Sequence, residues 1–456
     1  MADVYDVIVI GAGPTGENVA QRVVRGGLTA SIVESELVGG ECSYWACMPS
    51  KALLRPVAAV SEASRVRGAT GARLDPAEVL ARRDGFAHHW KDDSQVEWVK
   101  GAGIDLVRGP GRIAGERVVK VADTELRARH AVVVATGTRA VVPPALAGVR
   151  AWTSREVTSA HAVPASLAIV GGGVVGCEMA AAWSALGARV TLLARDGGLL
   201  ERLPAFAGDL VAKGLRQAGV DVRLGTGVAS ATRDEDVTLT LDDGTTLEAA
   251  EVLAAVGRAP RTDDIGLEAV GLSPGAWLEV DDTMRVTGVD GGWLYACGDV
   301  NHLALLTHMG KYQGRICGDA IAARARGRNP TVRDRSSKTC IPQVIFTVPE
   351  VAAVGLTKEQ AEAAGHKVRV IDYEIGDVAG ASLYEDDYEG HAQMIVDETT
   401  KTILGMTLAG PGVGEMIHAA TIAIAGEVPL EALWHAVPSY PTMSELWLRL
   451  LETYGL

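Results

Sequence analysis

One phrase occurs twice in this chain, and it constrains the fold more than any other feature. Residues 6–34 read DVIVIGAGPTGENVAQRVVRGGLTASIVE, and residues 167–195 read LAIVGGGVVGCEMAAAWSALGARVTLLAR. Each copy runs as an apolar strand, a G-x-G-x-x-G turn, a helix of small residues and a second strand. The glycine triplet alone is weak evidence. Inside a βαβ unit of this length it predicts a dinucleotide site. Gly11 and Gly171 are expected to make the turn. Gly13 and Gly173 leave room for a pyrophosphate against the backbone, and Gly16 and Gly176 let the helix pack on the strand. The helix N-terminus then stabilises the phosphate charge.

Two copies imply two dinucleotides, and the end of each second strand distinguishes them. Glu34 lies 23 residues after Gly11. A carboxylate there accepts hydrogen bonds from ribose hydroxyls, as NAD and FAD require. The same offset from Gly171 falls on Ala194, with Arg195 beside it. A cation in place of an acid favours a 2′-phosphate, so the second site reads as NADP(H) rather than NAD(H). The competing reading of Arg195 is a solvated surface charge.

A chain of 456 residues exceeds one hydrophobic core and suggests two to four domains. The net charge of −14 argues against non-specific binding to nucleic acid or an anionic membrane. No run of 18 apolar residues is present, which argues against a transmembrane helix. The N-terminal stretch enters a strand directly, without a basic leader, so a reducing cytoplasm is the simplest expectation. There a close cysteine pair is catalytic or metal-binding more often than a structural staple.

The one close pair is Cys42 and Cys47, in GGECSYWACMPSK at residues 39–51. Zinc needs about four ligands. Cys177, Cys297, Cys317 and Cys340 are isolated, and His88 and His89 have no metal-like spacing to a partner, so no metal site is expected. Five residues of straight helix rise roughly 7.5 Å, too far for a disulfide. The segment is therefore expected to be looped or distorted, which Gly39 and Gly40 permit. Pro49 suits the first turn of a following helix, with Cys47 at its N-terminus. The helix dipole there stabilises a thiolate.

With these motifs the chain resembles the FAD-dependent pyridine nucleotide–disulfide oxidoreductases, such as dihydrolipoamide dehydrogenase, glutathione reductase and mercuric reductase. The resemblance runs through GAGPTG with Glu34, GGECSYWACMPSK, ATG at 135–137, GGGVVG and AAVGRAPRT at 254–262. It continues through ACGDV at 296–300, IPQVIFTVPEVAAVGLT at 341–357 and YPTMSE at 440–445. It implies an α/β fold with two Rossmann-like domains and an α+β dimerisation domain built on an antiparallel sheet. The expected division is an FAD domain at 1–145 and 260–335, an NADP(H) domain at 146–259 and an interface domain at 336–456. The strand-like HAQMIVDE and TILGMTLAG and the helical EMIHAATIAIAG suit the last.

The resemblance also implies roles. Cys47 would be the thiolate beside the flavin and Cys42 the interchange thiol. Lys51 would lie near flavin N5 and pair with Glu178 on the nicotinamide side. Asp299 would bind the ribityl chain and His308 would sit by the flavin ring. Gly40, Thr136, Gly137 and Gly257 join the cofactor-binding positions. Hydride would pass from NADPH to the flavin, and electrons from there to the Cys42–Cys47 disulfide. Gly176 weighs mildly against NADP, because relatives often mark that choice with alanine.

Two positions depart from the commonest pattern. Where many relatives end in histidine–proline–threonine with a glutamate, this chain has Tyr440, Pro441, Thr442 and Glu445. Tyrosine, with a pKa of about 10, can donate a proton at neutral pH but is a poor base. His435 lies upstream without a motif to place it. Tyrosine here is similar to mercuric reductase and the soluble transhydrogenase. The former's C-terminal cysteine pair and the latter's single redox cysteine are both unlike this chain. Trp45 stands where small residues are usual, either packed in the core or narrowing the approach to Cys42.

The leading expectation is an NADPH-dependent homodimeric reductase with shared active sites, acting through the disulfide on a small disulfide or other electrophilic acceptor. The alternatives are a quinone or metal-ion reductase or transhydrogenase in which the disulfide is secondary, and a complex-bound subunit like dihydrolipoamide dehydrogenase.

Overall fold

A computed structural model describes residues 3–456. It divides into two compact units. One comprises Met1–Pro49, Asp84–Ala140 and Gly257–Lys338. The other comprises Ser50–Arg83, Val141–Val256 and Thr339–Leu456.

The first unit is organised by a seven-stranded sheet. Strand β1 (Asp3–Ile10) is followed by helix α1 (Pro14–Arg25) and strand β2 (Ala30–Glu34). β1 lies parallel to β2 on one side and to Thr124–Val134 on the other. Asp105–Arg108 extends the parallel set beyond β2, Leu294–Ala296 pairs with Thr124–Val134, and two antiparallel strands complete the sheet. The run Val7-Ile8-Val9-Ile10 has no polar face because both of its faces are covered. Val7 and Val9 join the core with Val19 and Val23 of α1, while Ile8 and Ile10 join a second core with Val119 and Val132.

α1 packs closely on the helix Thr307–Ala325, whose Gly310, Gly314 and Gly318 recur every fourth residue. A Cβ on Gly318 would fall 2.5 Å from Arg22 Cβ, and one on Gly314 2.8 Å from Thr15 O. An Arg22–Asp319 ion pair spans the same two helices.

In the second unit, Ser166–Val170, Arg189–Ala194, Asp221–Leu224 and Glu251–Ala254 form a four-stranded parallel sheet. The helix Val174–Ala185 follows its first strand and is buried nearly throughout. Three antiparallel strands between Val228 and Ala249 accompany it. A five-stranded antiparallel sheet contains His391–Asp397 and Thr402–Gly410, both anticipated from their alternation. Helix Ile417–Ala425 covers it, as its apolar pattern implied.

The sequence division kept residues 50–83 with the first βαβ unit, whereas the contacts group them with the second. Leu53, Leu54, Val79 and Leu80 share a core with Leu167 and Trp183. Arg83 is fully buried and donates to the carbonyls of Thr158 and Ala160. The sequence also separated 146–259 from 336–456. These segments share one compact unit, because Ile345, Val351 and Ala409 enter the core of the parallel sheet. Among the described residues no helix is long and apolar enough to cross a membrane.

Candidate functional site

The first glycine turn is built as its spacing required. Gly11 has φ +105°, and a Cβ there would lie 2.5 Å from Ala135 O. A Cβ on Gly16 would lie 2.0 Å from Gly11 O, so only glycine lets α1 approach β1 this closely. Gly13, by contrast, faces open space beside the free N–H groups of α1, where an anionic ligand can approach. Gly40 starts the helix α2 (Gly40–Tyr44) with φ +59°, and a Cβ there would meet Gly13 Cα at 2.8 Å. Glu34 Oε2 accepts from Ala12 N at 2.7 Å and Oε1 from Glu36 N at 2.7 Å. Each oxygen keeps a lone pair for a hydroxyl.

Asp299 sits on a 3₁₀ turn, Gly298–Asn301, and Thr138 Oγ1 donates to its Oδ2 at 2.8 Å. Burial holds its carboxyl above the usual range. Gln313 on the helix Thr307–Ala325 is fully buried and steadies this turn. Its Oε1 accepts from Gly298 N and Asn301 Nδ2, both at 2.8 Å, and its Nε2 donates to Ser337 Oγ. Gly137 and Gly257 are open on the Cβ side. His308 is an exposed second residue of the helix Thr307–Ala325. The unit therefore fits FAD on its own terms: a helix N-terminus with an open glycine, an acid at the end of β2, and two buried orphan atoms, Thr136 Oγ1 and Glu17 Oε1. Such atoms are rare unless a ligand or water completes them. Burial pushes the Glu17 carboxyl up to about 7, with Lys311 opposing and Glu34 adding to the shift.

Cys42 lies in α2, and Cys47 is the first residue of the helix α3 (Cys47–Ser64). The distortion between them was expected, but its position was not. Gly39 and Gly40 start α2, while the break falls at Trp45, with φ −137° and ψ 0°. Both cysteines are partly buried, and Thr307 Oγ1 lies 3.2 Å from Cys47 Sγ. Cys42 is held well above an ordinary thiol by its bond to Cys47, by burial and by charge on Cys47, with Thr307 and Lys311 pulling the other way. Trp45 is half-buried and meets Tyr44 edge-on at 5.7 Å, and Tyr44 is fully buried with its hydroxyl donating to Val38 O.

The second unit repeats the glycine construction. Gly171 has φ +122°, a Cβ on Gly176 would strike Gly171 O at 2.0 Å, and Gly173 is open. Arg195 lies just past the strand Arg189–Ala194, with its side chain 83 % exposed and Asp196 3.9 Å away. Lys51 Nζ meets Glu178 Oε2 at 2.7 Å, and Phe346 N donates to Glu178 Oε1 at 3.0 Å. Glu178 is 4 % exposed and Lys51 35 %. Thus the pair implied by resemblance forms here, with a backbone donor that no motif disclosed.

Tyr440 is 75 % exposed, and His435 is exposed at the end of the helix Leu430–Trp434. Glu445 is buried. Arg449 Nη2 binds its Oε1 at 2.6 Å, while Oε2 meets no partner among the described residues. In the single chain the partner of Glu445 is therefore Arg449 rather than residue 440. Ile422, Trp434, Val437 and Tyr440 leave apolar surface exposed on this region, as an interaction surface would. Among the described residues no three His, Cys, Asp or Glu side chains are grouped to hold a metal.

Sequence reasoning missed Thr307, Lys311, Glu17 and Gln313. Their signals were only adjacency: Thr307 precedes His308, and Glu17 follows Gly16.

Comparisons with known proteins agree with this construction. Residues 5–325 match the pyridine nucleotide-disulphide oxidoreductase family, and residues 341–450 match the dimerisation domain of the same family. A dihydrolipoyl dehydrogenase 3 of Pseudomonas aeruginosa is 34 % identical, covering 98 % of this chain and 97 % of that protein. A dihydrolipoyl dehydrogenase of Haloferax volcanii is 30 % identical, covering 98 % and 95 %. Among solved structures, LpdA of Mycobacterium tuberculosis superposes with a TM-score of 0.85 at 24 % identity over the whole of both chains. The HOCl-induced flavoprotein disulfide reductase RclA of Escherichia coli, as its Cu(II) complex, gives 0.84 at 23 % identity over 99 % of each.

Proposed function

The chain belongs to the pyridine nucleotide-disulphide oxidoreductase family of FAD-dependent enzymes, and from that premise we propose that it is a cytoplasmic NADPH-dependent reductase working through Cys42 and Cys47. The observation that carries this reading is the pair itself: Cys42 and Cys47 on adjoining helical segments broken at Trp45, with Thr307 Oγ1 3.2 Å from Cys47 Sγ. FAD, when bound, accepts hydride from the nicotinamide and supplies two electrons.

The chain's residues do the rest. Gly11, Gly13, Gly16, Gly40 and Glu34 bind the dinucleotide, with Thr136, Gly137, Asp299 and His308 supplying further contacts. Gly171, Gly173, Gly176 and Gly257 receive the nicotinamide cofactor, and the exposed Arg195 takes its 2′-phosphate. Glu178 fixes the Lys51 ammonium, which stabilises negative charge beside it. Cys47 holds the inner thiolate, and Cys42 attacks the acceptor. Tyr440 of the partner subunit donates the proton to the leaving group, with Glu445 behind it. The division into FAD, NADP(H) and interface regions follows from the same family reading.

A second reading has a specific observation behind it. Position 440 holds tyrosine where many relatives have histidine, and tyrosine as a residue type is a poor general base. Reduction of a quinone or metal ion needs no thiol exchange and would tolerate that loss. A third reading, a complex-bound lipoamide dehydrogenase, draws on the name of the 34 % identical relative.

Anaerobic titration with NADPH and then NADH tests the cofactor choice, with Arg195→Ala expected to weaken NADPH selectively. Equal response of wild type and variant to both nucleotides would refute the assignment. For the acceptor, Cys42→Ser should abolish turnover of a disulfide. Full turnover with the best acceptor in a panel would select the second reading, and co-purification with a lipoyl-bearing acyltransferase the third.

A further inference from the structure

A pocket of about 470 Å³ opens in the first unit, lined by Arg285, Arg324, His130, Tyr295, Ile321 and Gly292 among others. It lies away from the dinucleotide turn and the cysteines. α1 and the helix Thr307–Ala325 run side by side in the same direction. A Cβ on Gly314 would meet Thr15, one on Gly318 would meet Arg22, and one on Gly26 would meet Ala322. The glycine turn and Thr307 therefore stand at the N-terminal ends of the two helices, and Arg324 at the C-terminal end. Roughly 25 Å of helix separates Thr307 from Arg324.

The polar groups of this pocket are held in place by their own partners. Arg324 donates from Nη1 to the Tyr295 hydroxyl and from Nη2 to Thr283 Oγ1, both at 2.9 Å. Thr283 is fully buried and donates onward to Asp281 Oδ1 at 2.7 Å. A guanidinium has five N–H donors, and these two bonds leave the others for a ligand. Arg285 turns its Nε toward Asp281 Oδ2 at 3.2 Å, and its Nη groups meet no acceptor among the described residues. Gly292, with φ +60°, keeps that end unobstructed, since a Cβ there would stand 3.1 Å from Arg285 Nη1. Tyr295 is 2 % exposed. Its oxygen accepts from Arg324, while its own proton finds no acceptor among the described residues. Burial holds this phenol above its ordinary range, so the proton is there to donate. A buried donor without an acceptor calls for a ligand or water.

Charge points the same way. No carboxylate lines the pocket among the described residues, although the chain carries a net charge of −14. Asp281 is engaged by Thr283 and Arg285, and Asp6, 3.9 Å from His130, pairs with Arg129 at 3.1 Å. Glu116, near Gly291, pairs with Arg117 at 3.5 Å. The helix C-terminus adds a partial negative charge, which Arg324 in its last turn offsets.

We propose that this pocket binds a small phosphate monoester. Arginine pairs with phosphate through parallel N–H donors. The donors here come from three separate segments, which suits a tetrahedral group with three terminal oxygens better than a planar carboxylate with two. The volume is that of a small-molecule site, and Ile321 and Ala325 supply an apolar wall for the organic part. The proposal goes beyond the redox reading and does not rest on it.

Isothermal titration calorimetry of the FAD-loaded protein with D-ribose 5-phosphate tests the site, with succinate as the carboxylate control. Saturable binding of one ligand per chain is expected, and no saturation by about 10 mM would overturn the proposal. Arg285→Met should weaken binding by about tenfold or more, and Arg285→Lys should recover only part of the loss, because an ammonium lacks the planar fork. Tyr295→Phe should weaken it by about threefold to tenfold. The Arg285 side chain is 44 % exposed, so Arg285→Met should keep its thermal unfolding and its flavin reduction by NADPH, which shows that the loss of binding is local. Arg195→Ala should bind ribose 5-phosphate as the wild type does. If Arg195→Ala abolishes binding while Arg285→Met and Tyr295→Phe retain it, the ligand sits at the second glycine turn and the proposal falls. Succinate bound as tightly as ribose 5-phosphate would refute the choice of phosphate. Arg324→Met should abolish binding, and if it fails to fold for want of the Thr283 and Tyr295 bonds, Arg285→Met and Tyr295→Phe decide the matter.

Discussion

Replacing Glu17 with glutamine should stabilise this protein at pH 8 and leave it unchanged near pH 4. The carboxyl is raised from 4.5 to about 7, chiefly by burial, with the attraction of Lys311 already included. Each unit is worth about 1.36 kcal/mol, so ionising Glu17 in the folded chain costs about 3 kcal/mol. The sign follows from linkage. A raised acid binds its proton more tightly when folded, so its stabilising effect is complete below about pH 4.5 and is lost as pH rises through about 7. A glutamine side chain cannot ionise and keeps nearly the same volume, so the Glu17→Gln variant escapes the loss. Thermal unfolding of both holoenzymes between pH 4.5 and 8.5 measures this. The difference should start near zero, grow between pH 4.5 and 7 and level off above, at roughly 3 °C for a chain of this length. Parallel curves, or a difference that widens toward acid, would show that burial does not govern this carboxyl.

The Lys51–Glu178 pair should respond asymmetrically. Lys51→Met strands a carboxylate that is 4 % exposed, at a cost of about 3–5 kcal/mol in thermal or denaturant unfolding. Glu178→Gln frees a lysine that already reaches water, so its thermal unfolding should shift far less. Gly318→Ala places a Cβ 2.5 Å from that of Arg22 and should cost about 1–3 kcal/mol by forcing α1 away. Gln313→Ala leaves Gly298 N without its side-chain acceptor and the Asn301 amide with only the longer bond to Ala296 O. It should lower retention of FAD on dilution, and unchanged retention would show that the Asp299 turn needs no support.

Much of the site was legible where backbone geometry alone dictates it. Gly11 and Gly16 read correctly because their reasons are local: a positive φ and a carbonyl 2.0 Å from any Cβ. The break between Cys42 and Cys47 was deducible from helical rise, but its position at Trp45 was not, since either side of Cys42 could have supplied it. The contacts that group residues 50–83 with the second compact unit had no local signal either. α3 contains Pro56, which leaves the carbonyl of Ala52 unpaired in the helix. Arg82 donates to that carbonyl at 3.4 Å, a contact that no periodicity announces.

By itself the sequence determined two βαβ glycine turns, a break in the segment that carries Cys42 and Cys47, an antiparallel C-terminal sheet and the absence of a histidine at position 440. These follow from spacings of a few residues, where covalent geometry leaves little choice. The tertiary structure decided which distant side chains share an environment. Lys51 meets Glu178 across 127 residues, and Thr307 meets Cys47 across 260. It also decided that Glu17 would be half-buried, with an Oε1 that meets no partner among the described residues. Charges and hydrogen bonds act over a few ångströms of space whatever the length of chain between them, and only the packed fold sets those distances.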